Sequence, residues 1–296
     1  MKYDVIIVGM GIAGITSAIY ASRSGMNCLL IEKNAPGGVL NQISHIDNYP
    51  GINQAKGPDI AYALFQQVND LKVPYKIETV ENIKKDNGLF VVKTNTNEYQ
   101  SEYVIVATGR EALSLGLEYE ANILGRGISY CALCDGFLYK DKEVAVVGAN
   151  EHAMEELEEL VRVVSKIHLI VKGSKLRGHD ILKNEKVEIH YESEITDLKI
   201  ENNRLEGIIL NGETEIKLAC VFLYLGYKPN VKFMEDSSVL NKASSFLVND
   251  SCETKIEGLY AIGDAIVKST YQLVTAANDA ITVVQEINRK KLRKGQ

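Results

Sequence analysis

The stretch Lys2-Tyr3-Asp4-Val5-Ile6-Ile7-Val8-Gly9-Met10-Gly11-Ile12-Ala13-Gly14, running on to Cys28-Leu29-Leu30-Ile31-Glu32, decides how the chain is read. The apolar run at 3–8 reads as a buried strand, Gly9 to Gly14 as a turn, the residues to Ser24 as a helix stopped by Gly25, and 28–31 as a second strand. This is a βαβ unit with a complete GxGxxG pattern at its turn. The first glycine turns the chain, the second lets backbone touch a pyrophosphate, and the third packs helix on strand. An acid about twenty residues on, here Glu32, accepts ribose hydroxyls. The pattern therefore points to a bound dinucleotide.

A second copy of the unit follows at 143–147, Gly148, a helical segment 151–164 and an apolar run 167–171. Strand-like runs lie at 90–94, 103–107, 188–200, 207–210 and 221–225. The last stretch, 258–262, leads through Gly263-Asp264 into a helix at 273–288 and needs a sheet to join. The expected fold class is α/β, with two Rossmann-like, three-layer dinucleotide-binding domains, one inserted in the other. The outer domain is placed at 1–113 and 243–296 and the inserted one at 114–242, with crossover linkers near Leu113 and Lys242.

A chain of 296 residues with 46% apolar and 24% charged side chains is that of a globular protein with a substantial core. Its 33 Lys and Arg against 39 Asp and Glu leave a net charge of −6, which invites neither nucleic acid nor an anionic membrane. The uncharged run 5–22 behind Lys2 has the look of a signal-peptide core, but Gly9, Gly11 and Gly14 would weaken an inserted helix. A cytoplasmic location is expected. Cys28, Cys131, Cys134, Cys220 and Cys252 are odd in number and sparse, unlike a secreted disulfide framework.

Cys131-Ala132-Leu133-Cys134, followed by Asp135-Gly136, has CxxC spacing, which suits a redox disulfide, half a zinc site or two core thiols. No second CxxC exists, and His45, His152, His168, His179 and His190 show no spacing that completes a tetrahedral site with this pair, so no metal is expected. A redox pair beside an acid able to shuttle a proton is the favoured reading.

Gly9 to Gly14, Asn48-Tyr49-Pro50-Gly51, Ala107-Thr108-Gly109, the run from Ser129 to Gly136 and Gly263-Asp264 occur in one order. In that order the chain resembles the low-molecular-weight thioredoxin reductases over nearly its whole length. The resemblance implies an FAD domain interrupted by a smaller domain carrying the CxxC, in a homodimer that reduces thioredoxin. It places FAD against Gly9, Gly11, Ile12, Ala13, Gly14, Glu32, Gly38, Val39, Leu40, Asn48, Val80, Ala107, Thr108, Gly109, Gly263, Asp264, Tyr271, Gln272 and Leu273. Tyr271 stands where the family usually has arginine, which removes a permanent charge near the cofactor. Cys131, Cys134 and Asp135 are the implied catalytic residues. On that resemblance Cys134 would face the flavin, Cys131 would attack thioredoxin, and Asp135 would supply or accept the proton. A disulfide held against a flavin is hidden from a protein partner, so the inserted domain is expected to swing on its linkers.

The pattern breaks in the second unit. Gly148-Ala149-Asn150-Glu151-His152-Ala153 puts a side chain where the pyrophosphate glycine belongs. The family's basic 2′-phosphate cluster is replaced by Val171-Lys172-Gly173-Ser174-Lys175-Leu176-Arg177, and no acid stands there to take a free ribose hydroxyl. Glu151, Glu155, Glu156, Glu158 and Glu159 crowd the adjoining helix and would repel a dianion. These departures resemble the ferredoxin-dependent flavin thioredoxin reductases, which lack the NADPH motifs. Reduced ferredoxin is then the expected donor, with basic runs at 289–294 and 166–177 as docking candidates, or simply as charges that complement a helix end. An NADPH-dependent reductase with an unusual site, a dithiol oxidase passing electrons to oxygen, and a flavin redox sensor are the alternatives.

Overall fold

A computed structural model describes residues 2–43 and 46–294, apart from the side chains of Gln42, Leu133 and Cys134. In chain order the elements are β1 (Lys2–Val8), α1 (Ile12–Arg23), β2 (Cys28–Glu32), α2 (Gly57–Asp70), β3 (Tyr75–Ile77), β4 (Val80–Asp86), β5 (Leu89–Thr94), β6 (Glu98–Val106) and β7 (Arg110–Ala112). There follow β8 (Ile128–Ser129), α3 (Ala132–Asp135), β9 (Glu143–Val147), α4 (Glu151–Leu160), β10 (Lys166–Ile170) and β11 (Val187–His190). The remainder comprises β12 (Ile195–Glu201), β13 (Arg204–Leu210), β14 (Thr214–Lys217), β15 (Cys220–Leu223), β16 (Tyr227–Pro229), β17 (Leu259–Ala261) and α5 (Leu273–Lys294).

The chain divides into two compact units, Met1–Glu111 with Lys228–Gln296, and Ala112–Tyr227. The discontinuous unit holds a seven-stranded sheet in the order β3-β2-β1-β6-β5-β4. β6 is long enough to divide its second edge. Its first half pairs antiparallel with β5 and its last residues pair in parallel with β17, so Tyr260 lies opposite Ile105. The core strands are continuous apolar runs because both faces are covered: Val5, Ile6, Ile7, Leu29, Leu30, Val104 and Ile105 are wholly buried. α5 packs on α1 and buries Ala276, Ala280, Val283, Val284 and Ile287, spaced as one helical face.

The inserted unit repeats the plan with a parallel sheet, β11-β10-β9-β15-β8, and adds an antiparallel sheet β12-β13-β14. Alternation along the parallel strands sends Val144, Val146, Ile167 and Leu169 to the core containing α4, while Ala145, Val147 and Ile170 pack with Ile195, Leu205 and Ile208.

Among the boundaries that differ from the sequence reading, such as the helix expected at 151–164 that ends at Leu160, two bear on the architecture. The run 188–200 is two strands, because Tyr191 to Glu194 turn the chain, with Glu192 at φ 50°. The second linker was expected near Lys242, whereas the division falls between Tyr227 and Lys228. Phe233 explains the shift: its side chain is buried in the core of the discontinuous unit and its carbonyl accepts the N–H of Ile83 at 3.0 Å. β7 and β16, at the crossings, pair as a two-stranded ribbon. Among the described residues no helix is long and apolar enough to cross a membrane.

α5 is tied down by an ion pair with little water around it. Lys290 Nζ lies 2.6 Å from Glu253 Oε1, and that same oxygen accepts the N–H of Gly258 at 2.9 Å. Burial alone would push Glu253 up, but these donors outweigh it and hold the carboxyl below its ordinary range. A depressed carboxylate stabilises the fold above the ordinary carboxylate range, and the contribution is lost as pH falls through its lowered value. Glu253→Gln is expected to cost about 2 kcal/mol near neutral pH, with the deficit against wild type closing toward acid, as read by urea unfolding at several pH values.

Candidate functional site

Four segments of the discontinuous unit converge at the β1–α1 turn. Gly9 has φ 106°, and a Cβ there would lie 2.4 Å from the Ala107 carbonyl oxygen; a Cβ on Gly14 would lie 1.9 Å from that of Gly9. Those two glycines are demanded by close backbone approach. Gly11 is different: its φ of −74° suits any residue and a Cβ would meet nothing within 4 Å, so the glycine keeps a space open. No side chain caps α1, whose N-terminus opens onto that space. A Cβ on Gly38, which begins the 3₁₀ turn Gly38–Gln42, would lie 3.3 Å from the Gly11 Cα, and one on Gly263 3.2 Å from the Ala13 Cβ. Gly9 to Gly14, Gly38, Ala107 and Gly263 thus form one cradle. Val39 is exposed beside it, whereas Leu40 is buried beneath.

Glu32 ends β2 with Oε2 accepting the Met10 N–H at 2.7 Å and Oε1 accepting the Asn34 N–H at 3.0 Å. Each carboxylate oxygen keeps a lone pair for a ribose hydroxyl. An open backbone notch, an uncapped helix N-terminus and an oriented acid fit the pyrophosphate and ribose of FAD.

The flanks of the cradle are also ordered. Asn48 Nδ2 donates to Gln272 Oε1 at 3.1 Å, and both residues line a cavity of about 350 Å³ with Leu273 and Thr275. Thr108 donates to the Asn230 carbonyl at 3.2 Å. The Gly263 N–H donates to Asp279 Oδ2 at 2.9 Å, which fixes the turn carrying Asp264. Burial pushes Asp264 above the usual carboxylate range, with the Arg110 and Lys268 charges opposing. A positive charge stands over Tyr271: the Arg110 guanidinium lies 3.8 Å from the Tyr271 ring centre and its Nε donates to the Asp264 carbonyl at 3.2 Å. Sequence reasoning missed this residue, since nothing in the order of motifs links position 110 to 271. Val80 stands on β4 opposite Thr94 and packs against the core.

The second constellation belongs to the inserted unit. Cys131 is buried and disulfide-bonded. The side chain of Cys134 lies outside the described residues. Asp135 Oδ2 accepts the Ser129 hydroxyl at 2.7 Å, and Ser129 Oγ accepts the Cys131 N–H at 3.1 Å. The Ala132 N–H donates to Glu156 Oε2 at 2.8 Å and to Tyr224 Oη at 2.9 Å, and the Tyr224 hydroxyl donates to the same Glu156 oxygen. Ser129, Glu156 and Tyr224 are therefore positioning groups that the sequence reading did not single out. Only the helical spacing of the acids on α4 hinted that one of them faces inward.

Cys28, Cys220 and Cys252 are buried free thiols. Burial pushes Cys28 and Cys252 up to about 11 and Cys220 higher still, which leaves them protonated and inert near neutral pH.

The second glycine turn is closed from within. Asn150 Oδ1 accepts the Ala153 N–H at 2.9 Å and its Nδ2 donates to the Tyr224 carbonyl at 2.8 Å. The side chain thus caps α4 and occupies the donor that a pyrophosphate would use. Beyond β10, Lys172 is paired with Glu194 at 2.8 Å, while Lys175 and Arg177 are exposed. The basic tail is largely engaged too: Arg289 with Glu286, Lys290 with Glu253, Lys291 with Asp4 and Lys294 with Glu102.

Residues 3–280 match the family described as pyridine nucleotide-disulphide oxidoreductase. The chain is 35% identical over 295 residues to a thioredoxin reductase of Bacillus subtilis, covering 96% of this chain and 93% of that one. The fold is similar to a crystal structure of Lactococcus lactis thioredoxin reductase, with a TM-score of 0.81, 30% identity and coverage of 99% and 100%. It is also similar to a ferredoxin-flavin thioredoxin reductase from Clostridium acetobutylicum, with a TM-score of 0.57, 26% identity and 99% of each chain covered.

Proposed function

Because the chain belongs to the pyridine nucleotide-disulphide oxidoreductase family and, within it, to the thioredoxin reductases, we propose that it reduces the disulfide of thioredoxin with electrons from reduced ferredoxin. The protein is an FAD-dependent disulfide reductase. In this reading it works as a cytoplasmic homodimer, with the discontinuous unit as the FAD domain and the inserted unit as the carrier of the redox cysteines.

FAD, when bound, would supply chemistry that accepts single electrons and delivers them in pairs. Gly9, Gly11 and Gly14 would hold its pyrophosphate, Glu32 the adenosine ribose, and the Asp264 turn the ribityl chain. The remaining chemistry lies in the chain. Two electrons and two protons open the disulfide of Cys131. The Cys131 thiolate attacks one sulfur of thioredoxin, forming a mixed disulfide and expelling the other thioredoxin sulfur as a thiol. Cys134 then attacks the Cys131 sulfur and displaces the thioredoxin sulfur, which releases thioredoxin with two thiols and restores the enzyme disulfide. Asp135, held by the Ser129 hydroxyl, is placed one residue from Cys134 to exchange the proton.

The observation that carries the donor is Asn150. It spends both ends of its amide on the protein at the point where a pyridine nucleotide needs bare backbone. A second reading, with a pyridine nucleotide in a rearranged site, draws on the family description and on the exposed Lys175 and Arg177. Anaerobic stopped-flow with the holoenzyme separates the two. Reduced ferredoxin is expected to bleach the oxidised flavin, and NADPH and NADH to do so about a thousandfold more slowly, ~4 kcal/mol in the barrier. Fast bleaching by NADPH with none by ferredoxin would overturn the ferredoxin reading and leave the disulfide chemistry intact.

A further inference from the structure

We propose that His168, Glu188 and His190 of the inserted unit form a binding site for a divalent transition-metal ion, separate from the thiol chemistry. β10 and the edge strand β11 are parallel, with His168 opposite Glu188 and Ile170 opposite His190, so alternation sends all three side chains to one face. One ligand atom from each lies within 4.8 Å of the other two.

The distances suit coordination. His168 Nδ1 is 3.1 Å from His190 Nε2, while Glu188 Oε2 lies 3.8 Å from His168 Nδ1 and Glu188 Oε1 lies 3.8 Å from His190 Nε2. Two nitrogens bound at 2.0–2.1 Å to a tetrahedral Zn²⁺ stand about 3.3 Å apart. All three ligand atoms lie within 4.8 Å of one another, so a turn of the exposed Glu188 side chain completes the set. Lys166 donates to Glu188 Oε2 at 2.6 Å, which leaves Oε1, on the His190 side, as the metal ligand.

The far side of His168 is what distinguishes this cluster from a chance meeting of histidines. Its ring is 4% exposed, and Nε2 lies 3.1 Å from Glu143 Oε2 on β9. A carboxylate only accepts, so the proton sits on Nε2 and Nδ1 turns its lone pair toward His190. This is the carboxylate–histidine arrangement that orients a metal ligand and raises its basicity. Without metal, the His190 Nε2–H fills the gap between the rings. Binding moves that proton to His190 Nδ1 and puts the ion in its place. Exposed Glu188, on an edge strand, gives the entry path, and water completes the coordination. Imidazole nitrogens with one carboxylate favour Zn²⁺, Ni²⁺ or Cu²⁺ over Mg²⁺ or Ca²⁺.

Isothermal titration of the oxidised holoenzyme with Zn²⁺ and with Mg²⁺ tests this, with Cys131 held in its disulfide. One Zn²⁺ per chain and no Mg²⁺ are expected, with a thermal midpoint that rises with zinc concentration. His190→Gln and Glu188→Gln each remove a ligand and should abolish both effects. Glu188 is exposed, so that variant guards against misfolding. Glu143→Ala keeps every ligand but removes the orienting acceptor, and should weaken zinc about 10- to 100-fold. No zinc binding by wild type, or equal binding by wild type and the two ligand variants, would overturn the site.

Discussion

Replacing Cys134 with Ser is expected to stop thioredoxin turnover by about four orders of magnitude, while leaving an enzyme that still attacks thioredoxin once. The reason is the division of labour between two sulfurs. One forms the mixed disulfide and the other resolves it, so removing the second leaves the first able to bond but unable to let go. The test substrate is thioredoxin with a single active cysteine capped as a mixed disulfide with thionitrobenzoate. In the reduced Cys134→Ser enzyme, Cys131 should attack that sulfur, release one equivalent of coloured thionitrobenzoate and leave a covalent complex detectable by mass. In Cys131→Ser neither the colour nor the complex should appear at a comparable rate. No other described thiol offers a substitute, because burial holds Cys28 and Cys252 up near 11 and Cys220 above that. Release by Cys131→Ser with none by Cys134→Ser would reverse the roles given to the two cysteines, and equal release by both would abolish the distinction.

The parts of the fold legible in the sequence are those where local patterning and tertiary demand coincide. The run 3–8, the glycine turn and the run 28–31 form neighbouring parallel strands, with Val5 opposite Cys28 and Val8 opposite Ile31. The C-terminal strand and helix complete the first sheet because β6 leaves half an edge for β17. The second domain boundary was not legible. Nothing local marks Phe233 as a core residue of the outer unit, since its burial is decided by Ile83 and by strands far away in sequence.

The candidate site divides along the same line. The glycine turn was legible because Gly9 and Gly14 answer close backbone approaches that their spacing records, while Gly11 between them keeps a space open. Arg110 against Tyr271, and Glu156 with Tyr224 beneath the cysteine turn, were not, because side chains from distant elements meet there only after folding. The acids of α4 were read as a repulsive crowd, yet Glu156 is half-buried and holds the Ala132 N–H. No spacing in the sequence joins His168 and His190 to the cysteines. Strand register, which places β10 beside β11, is what brings them together with Glu188.

Gly11→Val is expected to yield a folded protein that has lost its flavin, and Gly14→Ala a protein that struggles to fold. The contrast rests on what a new Cβ meets. At Gly14 it would sit 1.9 Å from the Gly9 carbonyl oxygen, so the helix must back away from the strand and the core with it. At Gly11 the backbone is extended, φ −74° and ψ −176°, which suits valine well, and no protein atom lies within 4 Å of the new carbon. Nothing in the fold asks for glycine there; only a ligand pressed against the backbone does. Valine methyls would occupy that ligand's place at the mouth of α1, weakening FAD by about a hundredfold, ~2.7 kcal/mol. Urea unfolding of the apo forms should put Gly11→Val within about 1 kcal/mol of wild type, the loss being that of a good N-cap residue. The ratio of visible to protein absorbance after desalting should then fall to near zero for Gly11→Val. A Gly11→Val protein that keeps one flavin per chain would mean that the pyrophosphate does not lie on this turn. In that case the cradle formed by Gly9, Gly38, Ala107 and Gly263 would have to be read as packing alone.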